Sequence, residues 1–248
     1  MQRINVRPAR KERLAEAIYG QILDQILSGR FTEGDKLPSE AELSFAFGVS
    51  RPVVREALMR LQADGLVRAR RGIGTFVSNR PSNRLAELVS SADISGYLRS
   101  FEPRIVLEVD AARLAAQRRT SNQLAQIRDS IEELRAAIAR GDLGQEEDIA
   151  FHDGIATAAG NDYYPKLLDD LRRPVTRTQA IGLELAREGS AERRHRVIEE
   201  HTKIYEAVAA QDAECAASYM RYHLYQARAA VVDMHHLEKG PIKPAVGN

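Results

Sequence analysis

Residues Leu37–Val77, LPSEAELSFAFGVSRPVVREALMRLQADGLVRARRGIGTFV, constrain the fold of this 248-residue chain more than any other stretch. Two short helical patterns flank a Gly-Val-Ser turn. Two short runs, Leu66–Arg70 and Thr75–Val77, then flank Arg71-Gly72-Ile73-Gly74 and read as a strand pair. This order describes a helix-turn-helix followed by a β-hairpin wing, which offers one helix to a DNA groove and one hairpin to the phosphates beside it. Upstream, Leu14, Ile18, Ile22, Ile26 and Leu27 recur at helical spacing, which predicts a helix over about Lys11–Ser28, stopped by Gly29. Pro38 starts the second helix, with Ser39 and Glu42 placed for a capping box. Leu43, Phe45, Ala46 and Phe47 supply its core side, and Gly48 breaks it.

Ser50 can cap the third helix, which is expected to run to about Asp64. Val54, Ala57, Leu58 and Leu61 face inward at i, i+3, i+4 and i+7, so Arg51 and Arg55 point outward at the helix start. In a helix-turn-helix these first residues meet base edges, and arginine can grip guanine O6 and N7 with both arms of its fork. The DNA-contacting residues expected from this pattern are Ser50, Arg51, Pro52, Val53 and Arg55 on the helix, with Arg71 and Gly72 in the wing. Arg68, Arg70 and Arg71 give that wing a basic edge.

Charge is distributed accordingly. Residues 1–80 hold 14 Lys/Arg against 9 Asp/Glu, whereas the remainder holds 22 against 26, within a net charge of +1. A basic front and an acidic back fit a nucleic-acid module joined to something else. The single cysteine, Cys215, excludes an internal disulfide and fits a reducing compartment. No apolar run reaches membrane-spanning length, and the basic N-terminus lacks an apolar signal core, so the chain reads as cytoplasmic.

Beyond Val77 the pattern changes. Asn79–Asp93 reads as a linker, and helical periodicity then runs through Pro103–Arg119, Ser121–Arg140, Gln145–Ala159, Tyr163–Glu188, Ser190–Gln211 and Asp212–His235. The chain is thus expected to be mainly α. A winged helix-turn-helix (residues 1–78) and a linker (79–93) precede an all-α bundle of six or seven helices (94–236) and a disordered tail (237–248).

Three of the later helices each carry one histidine on an apolar stripe: His152 beside Ile149 and Ile155, His201 beside Ile198 and Ile204, and His223 beside Met220 and Leu224. Asp148 lies one turn before His152 on the same face. Each buried imidazole needs polar partners. Two readings satisfy that need: separate core histidines, or one site for Zn²⁺, Ni²⁺, Mn²⁺ or Fe²⁺. His195, His235 and His236 look peripheral.

The N-terminal signature resembles the winged-helix domain of GntR-type bacterial transcription regulators over about residues 11–78. The matching pieces are Gly34-Asp35-Lys36-Leu37-Pro38-Ser39-Glu40, Val49-Ser50-Arg51, Val54-Arg55-Glu56-Ala57-Leu58, Gly65-Leu66-Val67 and Gly74-Thr75-Phe76-Val77. Ala41 stands where that family often has a DNA-contacting arginine. The second half resembles the FCD ligand-binding domain of the FadR subfamily over about residues 95–235. It does so through Pro103-Arg104-Ile105-Val106-Leu107-Glu108, Asp148-x-x-Phe151-His152, Ala158-Ala159-Gly160-Asn161, Glu200-His201-x-x-Ile204 and Met220-x-x-His223-Leu224.

This second resemblance implies that Asp148, His152, His201 and His223 bind one divalent metal, with Arg104 and Asn161 at an effector site. One carboxylate, three neutral imidazoles, a divalent ion and Arg104 together carry +2, which would attract a small carboxylate. The expected protein is a metabolite-responsive regulator, a repressor in the family's usual manner, binding a palindromic operator in double-stranded DNA as a homodimer. The alternative is a metal-dependent hydrolase carrying a winged-helix interaction module, since a His₃Asp site with activated water could hydrolyse esters.

Overall fold

The structure, a computed structural model, describes residues 11–81, 87–181 and 191–232. Part of the expected linker (82–86), part of the long helix expected over Tyr163–Glu188, His235, His236 and the tail 237–248 lie outside the described residues.

The N-terminal elements follow the sequence closely. Helix α1 spans Lys11–Leu27, α2 Glu40–Phe47 and α3 Arg51–Ala63, followed by strands β1 (Val67–Arg70) and β2 (Gly74–Val77). The capping box at α2 forms: Ser39 Oγ accepts from the Glu42 amide at 3.3 Å, and Glu42 Oε2 accepts from the Ser39 amide at 2.7 Å. Gly48 closes α2 in the left-handed region (φ 62°), turning the chain into α3 without a Cβ clash. The strands pair antiparallel with Val67 opposite Val77 and Arg70 opposite Gly74. A side chain at position 74 would meet the stem of Lys36, its Cβ only 2.6 Å from Lys36 Cε. Two expectations for α2 fail. Phe45 is 92% exposed and Ala46 is exposed too, leaving Leu43 as the buried residue of α2. An eight-residue helix presents little more than one stripe to α3, and positions 45 and 46 fall outside it.

The largest departure is the linker. Helix α4 begins at Ser91, inside the expected linker, and runs 28 residues to Arg118 with Pro103 in its interior. Ser90 and Asp93 form a reciprocal capping box at its start. Pro103 lacks an amide hydrogen, so the helix tolerates one missing backbone bond there rather than starting at the proline. At about 42 Å, α4 is long enough to serve two cores. Ile94, Leu98 and Phe101 join the core built from Ile18, Leu23, Val54 and Leu61. Val109, Ala112 and Ala116 join a second core with Ile131, Phe151, Ile204 and Leu224. The expected boundary at residue 94 therefore falls inside a continuous helix.

The remaining helices are α5 (Ser121–Ala139), α6 (Gln145–Ala158), α7 (Tyr163–Arg172), α8 (Ala191–Ala209) and α9 (Ala213–Val232). A 3₁₀ turn, Arg173–Val175, and helical residues 176–181 follow α7. Helix α4 packs along α9 and also meets α6, α7 and α8. The all-α expectation holds among the described residues.

A polar junction ties the two halves together. Asp64, at the C-cap of α3, is buried; it accepts from Tyr19 of α1 at 2.7 Å and from Arg228 of α9 at 2.6 Å. Arg228 also donates to the Ala63 carbonyl. Burial pushes the Asp64 carboxyl upward, against the opposing pull of Tyr19 and Arg228. Beside it, Arg99 of α4 pairs with Glu16 of α1 at 2.5 Å. Removing the arginine would strand a buried carboxylate and a helix-end carbonyl. Arg228→Ala should therefore cost about 1–3 kcal/mol in chemical denaturation, and Tyr19→Phe, which removes one neutral donor, about 1 kcal/mol.

Candidate metal centre and nucleic-acid interface

Helical periodicity puts His152 of α6, His201 of α8 and His223 of α9 on inward faces, and packing brings the three rings together in the second core. All three are buried, His201 completely. His223 Nε2 lies 3.3 Å from His152 Nε2 and 3.4 Å from His201 Nε2, and one nitrogen from each ring falls within 4.8 Å of the others. The three rings therefore form one cluster rather than lying apart in the core. Asp148, one turn before His152, places Oδ1 3.7 Å from His201 Nε2. Phe151 stacks on the His201 ring at 4.0 Å and fixes its plane.

The outer ring nitrogens have carboxylate partners. His223 Nδ1 donates to Glu200 Oε2 at 2.8 Å, and Glu108 Oε2 lies 2.5 Å from His152 Nδ1. With the Nδ1 protons turned outward, the Nε2 lone pairs of these two rings turn inward and oppose one another. A cation among them removes that repulsion. Separations of 3.3 and 3.4 Å fit within the ~4.2 Å that two ~2.1 Å metal–nitrogen bonds can span. Three imidazoles, two of them backed by carboxylates, with a third carboxylate adjacent, form a donor set that suits a divalent metal.

Sequence reasoning quoted Glu108 and Glu200 within motifs but gave neither a role. Both are buried. A glutamate on a helix is ordinarily a solvent-facing residue. The available signal was spacing: Glu108 follows Arg104 by one turn, and Glu200 precedes His201. These two carboxylates change the electrostatics. They cancel the +2 expected from Asp148, Arg104, three imidazoles and a divalent ion, leaving the complete site near neutrality.

Arg104 needs a correction too. It is buried beside the site, but its Nε donates to Glu108 Oε1 at 2.7 Å and its guanidinium lies 5.2 Å from the Phe101 ring centroid. Burial works against the Glu108 charge, yet Arg104 and His152 outweigh it and hold this carboxyl well below the usual range. Arg104 is thus first the counter-ion of Glu108. Asn161 is exposed at the start of α7, where its Oδ1 accepts from the Tyr163 amide at 3.1 Å. It lines an open groove outside α4 rather than the histidine cluster, so the structure separates Asn161 from Arg104.

At the other end, α3 presents Ser50, Arg51, Pro52 and Arg55 to solvent, and the wing presents Arg68, Arg70, Arg71 and Gly72. Val53 does not belong with them. It is 4% exposed and packs in the first core, because position 53 lies next to the inward stripe led by Val54. Arg55 is exposed, but its fork is already engaged: Nε and Nη2 donate to the two carboxylate oxygens of Glu40 at 2.9 and 2.6 Å. Arg51 has no ion pair among the described residues. Arg70 lies over the Phe76 ring, 4.9 Å from its centroid, which stiffens the wing.

Comparisons with known proteins agree with this division. The chain matches the family model "Bacterial regulatory proteins, gntR family" over residues 14–77 and the FCD domain over residues 99–226. It is 35% identical over 205 residues to the HTH-type transcriptional regulator LutR of Bacillus subtilis (strain 168), covering 80% of this chain and 92% of that protein. It is 29% identical to the galactonate operon transcriptional repressor of Escherichia coli (strain K12), covering 77% and 85%. A solved structure described as Streptococcus agalactiae GntR aligns with a TM-score of 0.47 and 25% identity over 87% of this chain and 99% of that one. The hydrolase reading finds no support, since these families and relatives are transcription regulators. The chain belongs to the gntR family of bacterial regulatory proteins: it is a DNA-binding transcription regulator whose second half is an FCD domain.

Proposed function

We propose that this regulator is a cytoplasmic, metabolite-responsive repressor that binds a palindromic operator as a homodimer and senses a small carboxylate at a divalent metal. The observation that carries the reading is the convergence of three imidazoles from three helices in the core of a chain whose other end is a reading head. Asp148, His152, His201 and His223 would hold the ion, which is Zn²⁺, Ni²⁺, Mn²⁺ or Fe²⁺ by donor type. When bound there, the metal would act as a Lewis acid for an oxygen ligand.

A cavity of about 120 Å³ adjoins the cluster between α8 and α9, lined by Glu200, His223, Arg193 and Arg196. It offers space for a small acid next to the imidazoles. Because Glu108 and Glu200 neutralise the site, net charge contributes little to recruitment, and a carboxylate gains most by reaching the metal directly or meeting an arginine. A ligand shifts DNA binding only through its different affinity for the two arrangements of the chain.

On the DNA side, Ser50, Arg51, Pro52 and Arg55 with Arg71 and Gly72 form the contact set, led by Arg51. Arg55 reaches bases or phosphates by exchanging its surface ion pair with Glu40, an exchange of small cost because both groups are solvated. One head reads one half-site, so a two-fold dimer on a palindrome supplies the missing specificity.

Arg51→Ala should weaken operator binding by about 1–3 kcal/mol in a gel-shift or anisotropy titration. Arg71→Ala should weaken binding and flatten its salt dependence by about one unit of slope. An Arg51→Ala variant that folds and binds its operator unchanged would overturn the assignment.

Protein purified without an affinity tag should contain about one divalent metal per chain by elemental analysis. Chelation, or His201→Ala, should lower the melting temperature and abolish any response to organic acids while DNA binding persists. Glu200→Gln should spare the fold but weaken the metal about 10–100-fold, because it releases the His223 ring from its partner. Absence of stoichiometric metal, with no thermal shift on adding Zn²⁺, Ni²⁺ or Mn²⁺, would overturn the metal reading.

A further inference from the structure

We propose that the solvent face of the wing, carrying Lys36, Arg68 and Arg70 around Phe76, is a phosphate-binding platform that grips the DNA backbone. The proposal deepens the DNA contact set above and rests on it. The wing is a three-stranded sheet in effect. Residues 34–37 run along the free edge of β2: the Leu37 amide donates to the Thr75 carbonyl at 2.8 Å, the Val77 amide donates to the Asp35 carbonyl at 2.9 Å, and Lys36 stands opposite Phe76. Lys36 is thereby held in the wing although it precedes the hairpin by the whole of α2 and α3.

The register decides which side chains share a face. Residues directly opposite in an antiparallel pair point the same way, and so do residues two apart on one strand. Arg68 stands opposite Phe76 on one side and Lys36 on the other, while Arg70 stands opposite Gly74. Lys36, Arg68 and Arg70 therefore lie on one face. Leu37, Val67 and Val77 take the opposite face and are buried in the first core. The cationic face is the one turned to solvent, and all three cations are exposed. From β1 to residue 36 it is two strand spacings wide, about 10 Å, which matches the axial rise of about three phosphates on one DNA strand.

These side chains are braced rather than paired. Arg70 lies over the Phe76 ring, and the Lys36 stem crosses Gly74, whose missing side chain leaves room for it. None of the three cations has an ion pair among the described residues. Asp35 and Glu42 are committed elsewhere: Asp35 accepts from the Thr32 amide and hydroxyl at 2.7 and 2.8 Å, and Glu42 accepts from the Ser39 amide. From Gly65 to Arg80 the sequence contains no Asp or Glu. Three cations on one face with no internal counter-charge suit a polyanion. DNA is that polyanion because the platform is continuous with the wing tip: Arg70 is followed directly by Arg71 and Gly72. Contacts of this kind position the head on the duplex and carry no base preference.

The test is the salt dependence of binding to a short mixed-sequence duplex, read by fluorescence anisotropy on the full chain. Lys36→Met and Arg68→Met keep the apolar stem and remove the charge. Each should flatten the plot of log affinity against log salt by about 0.9 for each head engaged, at native melting temperature. Lys36→Arg should keep the native slope. Lys203→Met, which removes an exposed lysine of α8, should leave it unchanged too. Should Lys36→Met melt below the native protein, Lys36→Gln takes its place under the same criteria. Wing-face variants that keep the native slope while Arg71→Ala flattens it overturn the platform and leave the tip contacts standing. A change no larger than that of Lys203→Met is a general charge effect and overturns the platform as well. If the native slope is flat, or Arg71→Ala also leaves it unchanged, the platform and the wing's part of the contact set fall together.

Discussion

Everything in this molecule depends on α4 running unbroken through two hydrophobic cores. Its first half packs Ile94, Leu98 and Phe101 against the winged helix, and its second half packs Val109 and Ala112 into the core of the FCD domain. Between them, Arg104 and Glu108 turn inward and settle the position of His152. A hinge at this point would have left the carboxylate without its arginine and the imidazole without its carboxylate. Burying an ion pair is expensive unless its geometry is well satisfied, and a rigid helix supplies that geometry at i and i+4.

The histidine cluster answers a common difficulty of buried polar groups. Three imidazoles in one core depend on the polar groups packed around them. Two outward nitrogens face glutamates, and two inward ones face one another and a third ring. The Phe151 ring closes one side of His201. The result is a buried cluster whose rings are held in place by their neighbours.

Much of this was legible in the sequence because helical periodicity is local. The stripes around His152, His201 and His223 placed those rings inside, and the turn residues around Gly48 and Ser50 placed α3 on the surface with Arg51 leading. What escaped depends on pairing between distant elements. Glu108 and Glu200 become interior only when α6, α8 and α9 close over them, and within one helix only their spacing from Arg104 and His201 hints at it. The engagement of Arg55 by Glu40, fifteen residues upstream, is likewise a product of the α2–α3 angle. Pro103 misled in the opposite way: a proline is a strong start signal, and only the Ser90–Asp93 cap shows the helix already under way. Phe45 was misplaced because the short α2 has few positions from which to establish its phase, and Val53 because it flanks the inward stripe led by Val54.

The junction at Asp64 has a consequence for how the reading head is held. His223 and Arg228 are five residues apart on α9, about 7.5 Å along its axis and on different sides of it. One faces the imidazole cluster; the other grips the last carbonyl and the cap of the DNA-reading helix. A helix of this length behaves as a stiff rod, so a roll or slide at one residue is inherited by the other within a fraction of a turn. The C-terminal end of α3 is therefore tied to the same rod that carries His223 into the imidazole cluster.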